Sequence, residues 1–435
     1  MTNTTAPLES GATRTGILHL SDLLGRPLAD KSGESIGKLS DVIVRLRGAV
    51  SPAVTGLVAS VGGRQVFVPL EQVIGFDGEV IKLTSARLDL RRFERREGEV
   101  LLRADVLGHR LIDVPSAHLI RAADLELADR SGEWVLAAVD IHRRRRGLFG
   151  LGDKGHATHT YEDWANFEPL IGHASSALLR GPFGRIRRFK PAQIADLLEE
   201  ASKEEETEIL DQVHADPELE ADVFEELDDE EATRLLGART DDEIAQVLAR
   251  MGADDAADAI AELPQRRRQS VIDRLPAGQR AKVLTLMGYN PASAGGIMGL
   301  DFVTVSKDAT VADALAAVRD NRDLGDETRT TVHVLDSAGH LCGVAKLVHL
   351  VQSDARQRVS DVYDDDRVRV GADTDVVDVA VLMSDYNLIT VPVVDEHCTM
   401  IGLITVDDIL EATVPDDWRR REAAEPPDSR HGKGP

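Results

Sequence analysis

Apolar residues follow three spacings along the chain, and the spacing changes near residues 190 and 298. Between residues 15 and 90, apolar runs such as VTGLVASV and RQVFVPL alternate with Gly, Asp and Ser, which is typical of β-strands joined by turns. From Pro191 the apolar positions recur at helical spacing, in stripes only two to three turns long. Such short helices are marginal alone, so we expect roughly seven of them to stack into a compact superhelix.

The strand-rich region contains an internal repeat. Residues 22–44 align without gaps on residues 105–127, and Asp41 then coincides with Asp124. A repeat at this distance indicates duplicated modules. The pattern resembles the PRC-barrel, a small β-barrel of ribosome-maturation and photosynthetic reaction-centre subunits, clearly in the first copy and more weakly in the second. The resemblance implies a docking surface and no catalytic residues.

The region from residue 298 to 414 predicts strand, helix, two strands and a helix, twice over. The segment VHVLDSAGHLCGVAKLVHL matches VPVVDEHCTMIGLITVDDI. Thr310 and Asp313 have the spacing of a capping box, which supports a helix start there. This region resembles a tandem pair of CBS domains, a regulatory module that often binds adenine nucleotides between its two copies.

The CBS resemblance implies a nucleotide site at a Ser/Thr-x-x-Asp motif after the last strand. Thr405 and Asp408 fit this motif in the second copy, with the hydroxyl near phosphate and the carboxylate on the ribose. Lys346 and His349 stand at the aligned positions of the first copy and lack the ribose ligand. We therefore expect a nucleotide, ATP or another adenine nucleotide, in one cleft at most.

Charge is distributed unevenly along the chain. Residues 1–190 contain 27 Lys and Arg against 23 Asp and Glu; since the whole chain carries −25, residues 191–435 carry −29. An acidic field of this kind repels nucleic acid and attracts cations. We therefore expect no DNA partner, and the acidity serves either cation binding or solubility alone.

The predicted superhelix includes the acidic segment GADDAADAIAEL. Asp254 and Asp258 are four residues apart, so they share one helix face about 6 Å apart at Cβ, and Asp255 flanks them. The segment is either an acidic first turn stabilised by the helix dipole or an oxygen-ligand site for a hard cation. Mg²⁺ suits the second interpretation, because one or two carboxylates plus water commonly hold it.

Residues 190–414 as a whole resemble the cytosolic half of the MgtE magnesium transporter family. The SAGG-x-M junction, the DDAAD helix and the closing GLITVDDILEA carry the resemblance. It implies that Mg²⁺ holds the helical and CBS domains together, through Asp254 and Asp258 on one side and Asp408 and Glu411 on the other. Asp408 thus has two candidate roles. Asn387 stands where the family often has Asp, which implies that one bridging site is weakened or lost.

Two basic clusters precede the acidic half. The first is Arg143, Arg144, Arg145 and Arg146, and the second lies between residues 185 and 190. These clusters belong either to a solvated linker or to a contact with anionic lipid or an acidic partner.

The expected fold is multidomain, with PRC-like β-barrel repeats, an all-α superhelix and an α/β CBS pair. The expected segments are a disordered tail (1–14), a PRC-like domain (15–92), a second PRC-like repeat (93–146), a basic Gly-rich linker (147–190), the MgtE-N-like superhelix (191–290), the first CBS copy (291–356), the second CBS copy (357–415) and a disordered tail (416–435).

The sequence favours a regulator over an enzyme. We find no nucleophile–base motif, P-loop or Cys/His metal quartet. We expect a cytoplasmic protein without a signal peptide, membrane span or pore, either free or peripheral at the inner face of the membrane. It would sense Mg²⁺, dimerise through its CBS domains and act through a separate membrane protein or transporter. The alternatives are a docking scaffold at membrane or ribosome with vestigial Mg²⁺ sites, and an adenine-nucleotide sensor.

Overall fold

The structure is a computed structural model that describes residues 16–46, 51–76, 78–85, 87–96, 98–141, 159–170, 185–364 and 368–414. The expected tails and the arginine cluster at 143–146 lie outside these residues. The chain divides into two compact units, Met1–Leu219 and Glu220–Pro435.

The first unit is built from strands β1 to β14 and helices α1 to α3. The strands are β1 (Ile17–His19), β2 (Pro27–Ala29), β3 (Ser35–Arg45), β4 (Ala53–Val61), β5 (Arg64–Pro69), β6 (Val73–Gly75), β7 (Ile81–Leu83), β8 (Glu99–Leu101), β9 (Arg110–Asp113), β10 (His118–Arg121), β11 (Asp124–Arg130), β12 (Glu133–Asp140), β13 (Tyr161–Asp163) and β14 (Phe167–Pro169). The helices are α1 (Leu20–Leu23), α2 (Pro191–Glu200) and α3 (Lys203–Val213). Leu, Val and Ile side chains dominate the core of the strand region.

The two sequence repeats exchange their first strands. β1 of the first repeat pairs antiparallel with β11 of the second, and β8 of the second pairs antiparallel with β3 of the first. Where the repeats meet, Ala53 of β4 pairs with Val135 of β12. One half-barrel sheet therefore runs through both repeats, in the order β1-β11-β12-β4-β3-β2-β7-β6.

Each repeat also caps a helical turn of the other through an equivalent aspartate. Asp41 accepts hydrogen bonds from the amides of Arg103 (2.7 Å) and Ala104 (3.1 Å), in the π-helical turn Leu102–Val106. Asp124 accepts from the amide of Ser21 at 3.0 Å and from the Ser21 hydroxyl, in α1. Because both carboxylates are buried, these bonds satisfy groups that water cannot reach.

The second repeat continues beyond the boundary that the sequence suggested. β13 pairs with β12, and β14 pairs with β9, so residues 161–169 belong to the sheets. The expectation of a linker throughout 147–190 is therefore wrong for this stretch. The residues between β12 and β13, including the arginine cluster, connect two paired strands of one repeat, where the first repeat has only Gly62 and Gly63.

Helices α2 and α3 are fastened to the second repeat within the same unit. The Arg110 guanidinium pairs with the Glu205 carboxylate and donates a 2.9 Å hydrogen bond to the Glu200 carbonyl. His118 lies 3.6 Å from the Glu200 carboxylate. The strand region, α2 and α3 therefore form one packed body.

The helices and strands that follow build most of the second unit. The helices are α4 (Pro217–Glu225), α5 (Asp229–Gly237), α6 (Asp241–Leu248), α7 (Ala253–Glu262), α8 (Gln265–Ile272), α9 (Ala277–Leu286), α10 (Val311–Asp320), α11 (Leu347–Gln352), α12 (Val376–Tyr386) and α13 (Val406–Thr413). The strands are β15 (Thr304–Ser306), β16 (Thr331–Leu335), β17 (Leu341–Lys346), β18 (Val370–Gly371), β19 (Thr390–Val394) and β20 (Met400–Thr405).

These short helices begin with side-chain caps, at the points where a polar turn is followed by apolar residues at helical spacing. The Thr240 hydroxyl accepts from the Glu243 amide, and Asp228 accepts from Glu231, at the starts of α6 and α5. The capping box predicted at Thr310 is confirmed, since its hydroxyl accepts from the Asp313 amide at 3.2 Å. From α2 to α9 the helical stretch contains eight short helices, close to the number expected.

The two CBS copies repeat one order of elements. In each, a parallel strand pair and an antiparallel hairpin form a three-stranded sheet: β15-β16-β17 and β18-β19-β20. The predicted fold classes are thereby confirmed for the strand-rich, helical and α/β regions.

The SAGG junction joins the helical stretch to the second CBS copy before the chain enters the first. The amide of Ala294 donates to the Thr374 carbonyl at 2.7 Å, and that of Gly295 donates to Ala372 at 2.8 Å. A Cβ atom on Gly295 would lie 2.6 Å from the Tyr289 ring. The junction needs glycine for this close packing, which holds the last helices beside the second CBS copy.

Candidate metal-binding site

The N-terminus of α7 carries two of the predicted acidic residues. Asp254 and Asp255 occupy its first turn, directly after Gly252. A Cβ atom on Gly252 would lie 2.7 Å from Asp255 Oδ2 and 2.9 Å from Asp254 Oδ1. Glycine therefore leaves room for both carboxylates to fold back onto the helix N-terminus, where the free amides and the dipole favour negative charge.

Helix α13 carries the predicted acids of the second CBS copy. Thr405 and Asp408 form a capping box, in which Asp408 Oδ2 accepts from the Thr405 amide at 2.7 Å. Glu411 follows one turn later and is exposed. The cap fixes the Asp408 carboxylate at the helix start and leaves its second oxygen available for another partner.

The two helix starts face each other within the second unit. Burial, followed by the negative charges of Asp254 and Glu411, raises the pKa of Asp408 to about 7. Burial, followed by the charges of Asp254, Glu225, Glu411 and Asp408, raises the pKa of Asp255 well above its usual range. These mutual effects require the carboxylates to be close, although α7 and α13 are about 150 residues apart in the chain.

Glu225 joins this cluster from the end of α4. Its Oε1 accepts a 2.7 Å hydrogen bond from the Gly252 amide. Burial, followed by the charges of Asp222 and Asp254, raises the pKa of Glu225 to about 7. No spacing distinguishes Glu225 from its neighbours in the acidic run FEELDDEE, so the sequence does not predict its role. We call Glu225, Asp254, Asp255, Asp408 and Glu411 the acidic cluster.

Asp258 lies at the margin of the acidic cluster. Its side chain is exposed, and the charges that act on it come from Asp254, Asp229 and Glu262, not from α13. Neighbouring groups still desolvate its carboxyl in part, and this raises its pKa to about 6. The predicted pairing of Asp254 and Asp258 on one helix face therefore holds, but only Asp254 is oriented towards the second CBS copy.

The acidic cluster has the chemistry of a site for a hard divalent cation. In the described part of the chain, neither Lys nor Arg forms an ion pair with Asp254, Asp255 or Asp408. Yet no three described His, Cys, Asp or Glu side chains are arranged to ligate one ion directly. The cluster therefore fits Mg²⁺ bound through one or two carboxylates and its own water molecules, which is how Mg²⁺ is commonly held.

A separate cleft of about 620 Å³ lies between the two CBS copies. Thr331, Lys346, Asp364, Tyr386 and Asn387 are among its lining residues. Neither of the predicted nucleotide ligands, Thr405 and Asp408, lines this cleft, since both belong to the cap of α13.

Asn387 lines this cleft and has an unusual backbone conformation. It ends α12 with a φ of 50°, in the left-handed region that Asn tolerates better than most residues. At this position it lines the cleft between the CBS copies.

Three family descriptions match separate stretches of the chain. The PRC-barrel domain matches residues 16–89, the MgtE intracellular N domain matches 189–292, and the CBS domain matches 359–415. Among the described residues, no helix is both long and apolar enough to cross a membrane.

Two similar proteins are magnesium transporters. MgtE of Thermus thermophilus is 38% identical over 164 residues, which is 37% of this chain and 36% of the relative. MgtE of Enterococcus faecalis is 32% identical over 133 residues, 31% of this chain and 29% of the relative. The chain thus spans about a third of the length of these relatives.

A solved structure extends the likeness to the fold. It is the cytosolic domain of the Mg²⁺ channel MgtE in complex with ATP, with a TM-score of 0.50 and 30% identity, and it covers 54% of this chain and 94% of that chain. The families matched are those of transporter cytosolic domains and regulatory modules. The chain therefore carries a PRC-barrel domain, an MgtE intracellular N domain and a CBS domain, and resembles the cytosolic part of MgtE.

Proposed function

We propose that this chain is a Mg²⁺-responsive regulatory protein. Mg²⁺ binds in the acidic cluster and links the first turn of α7 to the start of α13. The observation that carries the proposal is that burial raises the pKa values of Asp254, Asp255 and Asp408, and that charges from the facing helix start add to the rise at Asp255 and Asp408. The likeness to the cytosolic domain of a Mg²⁺ channel supports the choice of ion.

The physical effect of the ion follows from Coulomb's law. Two unit charges about 4 Å apart repel by about 4 kcal/mol at an effective dielectric near 20. A divalent cation between them reverses the sign, and it stabilises only the arrangement in which both helix starts face it. Mg²⁺ therefore shifts the protein towards the arrangement with α7 and α13 together, and the shift is the signal that a partner reads.

The test is a Mg²⁺ titration followed by hydrogen exchange of α7 and α13. Wild-type protein should gain protection in both helices at Mg²⁺ concentrations on the order of millimolar. Asp254→Asn combined with Asp408→Asn should abolish the gain. Asp320→Asn combined with Asp385→Asn removes two exposed charges elsewhere in the unit and should leave the response intact. Equal exchange with and without Mg²⁺, up to about 20 mM, would contradict the proposal and leave a docking scaffold with vestigial sites.

A second function, nucleotide binding, is supported by the cleft between the CBS copies. Its volume of about 620 Å³ suits a small organic ligand, and Lys346 supplies a positive charge there for phosphate. Calorimetry with ATP, ADP and AMP tests it, with Lys346→Ala as the disrupting variant and exposed Lys307→Ala as the control. Binding that is unchanged by Lys346→Ala would place any nucleotide outside this cleft.

We also propose that the CBS copies bring two chains together. Val348 and Val351 on α11, and Val377 and Val381 on α12, are exposed apolar side chains in the described structure. Groups of large, exposed apolar side chains are typical of surfaces that bind another protein. Sedimentation of wild type and of Val351→Lys with Val377→Lys tests this, and a monomeric wild type would contradict it. A separate membrane protein remains the proposed recipient of the signal, with the chain on the cytoplasmic side.

A further inference from the structure

The half-barrel of the first repeat has an open seam beside β4. Along one edge β4 pairs with β3 over most of its length. Along the other edge Ala53 pairs with β12 and the residues from Gly56 onward pair with β5. Val54 and Thr55 lie between these two partners, and a cleft of about 820 Å³ opens there.

The far wall of this seam is an edge strand. β6 is the last strand of the sheet among the described residues, and it pairs only with β7. Ile74 is the bulge residue of this three-residue strand, because the register against β7 shifts between Val73 and Gly75; it lines the cleft and is 55% exposed. An exposed apolar edge strand is a template for pairing with another strand, and proteins usually protect such edges with charge or cover.

An aromatic pair and a cation complete the lining. Phe76 and Trp134 both line the cleft and pack edge to face with their ring centroids 5.2 Å apart. The buried Nε of Arg45 has no hydrogen-bond acceptor, and no described carboxylate forms an ion pair with this guanidinium. Glu71 and Glu133 also line the cleft. Among the described residues, the arrangement therefore offers the backbone of β6, an apolar surface and a guanidinium without an ion-pair partner, in a lining that also holds two carboxylates.

We propose that the seam binds an extended segment of a partner protein, which adds a strand beside β6 and completes the half-barrel. Backbone hydrogen bonds to β6 supply affinity, as in other cases of strand addition. An apolar side chain of the segment contacts Ile74 and the Phe76–Trp134 pair, and an acidic side chain pairs with Arg45. Closure removes the exposed edge, as it does in complete barrels.

The probe is a phage-displayed library of random peptides of about twelve residues, the length of a long strand with flanks. Selection uses the full chain. We expect enriched peptides with alternating apolar residues and an Asp or Glu, and we expect Ile74→Asp to weaken their binding by about tenfold or more. Leu90→Asp is the matched control, because Leu90 is 60% exposed but does not line the cleft, and it should bind like wild type. Circular dichroism checks that both variants fold.

Reversing the charge of Arg45 gives a second measurement of peptide binding, and a general loss of structure would not produce the result expected from it. Arg45→Glu should weaken the acidic peptides and strengthen their counterparts in which Lys replaces the acidic residue. Failure to enrich any peptide, or equal binding by wild type and Ile74→Asp, would overturn the proposal. So would a gain of binding only after removal of residues 1–15, since the cleft would then be a site for the chain's own N-terminal segment.

Discussion

The amide nitrogen of Gly252 donates a 2.7 Å hydrogen bond to Oε1 of Glu225. This bond ties the end of α4 to the start of α7, where Asp254 and Asp255 fold back towards the same amides. One helix start therefore gathers carboxylates from two helices before α13 contributes its own. Glu225 thus belongs to the acidic cluster as much as the aspartates that the sequence singled out.

Replacing Gly252 by alanine should impair the acidic cluster. A Cβ atom there would lie 2.7 Å from Asp255 Oδ2, so the carboxylates must move from the helix N-terminus. We expect a loss of about 1–3 kcal/mol in stability and a weaker Mg²⁺ response. Urea unfolding and the Mg²⁺ titration measure these effects. The control is Gly278→Ala, where a Cβ atom meets nothing within 4 Å, and it should be neutral or slightly stabilising.

Without Mg²⁺, the carboxyl of Asp408 should make the protein less stable as pH rises. Its pKa is about 7 in the folded chain against 3.8 for an ordinary Asp, so the folded state binds the proton more tightly. The stabilisation is present below about pH 4 and is lost as pH rises through about 7.

The difference in unfolding free energy between wild type and Asp408→Asn reports the titration of Asp408 together with its coupling to neighbouring carboxylates, since distant titrating groups cancel. Between about pH 5 and about pH 8, the wild type should lose about 1–2 kcal/mol of stability relative to Asp408→Asn. Mg²⁺ should reduce the change because it stabilises the ionised form. A difference that does not vary with pH would contradict the burial of this carboxyl.

His333, in the first CBS copy, should have the opposite effect on the pH dependence of stability: it should make the protein less stable as pH falls. It is fully buried, its Nε2 has no described partner, and burial lowers its pKa to about 4 from 6.5. The unfolded chain therefore binds the proton more readily, and stability falls as pH drops from about 6.5 towards about 4.

Replacement of His333 by leucine should remove this acid sensitivity, which is on the order of 3 kcal/mol. Thermal unfolding at several pH values from about 4 to about 7 measures it. His349→Leu is the control, because that imidazole is exposed and lies on α11 of the same copy. Equal acid sensitivity in both variants would show that another group is responsible.

The sequence predicted the types of the elements better than their partners. The period of the apolar residues identified the strands, the short helices and the two CBS copies, since each depends on local spacing. The repeat relating Asp41 to Asp124 was also visible. The sequence did not show with which repeat β1 or β8 pairs. Similar modules can pair with themselves or with each other without any change in the local pattern of apolar residues.

The candidate site shows the same limit. Asp254, Asp255, Asp408 and Glu411 stood out through motifs, and the structure brings them together. Glu225 did not, because its contact with Gly252 depends on how α4 packs, and nothing in its own segment records that. Thr405 and Asp408 matched a nucleotide motif, but the same spacing also makes a capping box, which is what they form here.

Removing the carboxylate of Asp41 should strongly destabilise the strand region. Asp41 accepts from the amides of Val42, Arg103 and Ala104, and its replacement by alanine removes the shared acceptor of three amides, of which that of Val42 belongs to a buried residue. We expect a loss of at least about 3 kcal/mol, measured by chemical unfolding. Asp30→Ala is the control, because Asp30 accepts similar amide bonds in an exposed turn, and it should cost about 1 kcal/mol or less. Equal losses would contradict the role assigned to the reciprocal caps.

The exchange of first strands has a consequence for synthesis on the ribosome. β1 begins at Ile17, yet its partner β11 ends at Arg130, so more than a hundred residues must be translated before the two can meet. At about 5–20 residues per second this takes on the order of ten seconds. Until β11 is complete, β1 has no partner strand, and until β8 is complete, the edge of β3 that it covers is open as well. The sheet edges of the nascent first repeat are then open to other nascent chains, and co-translational protection of this region matters more than its final stability would suggest.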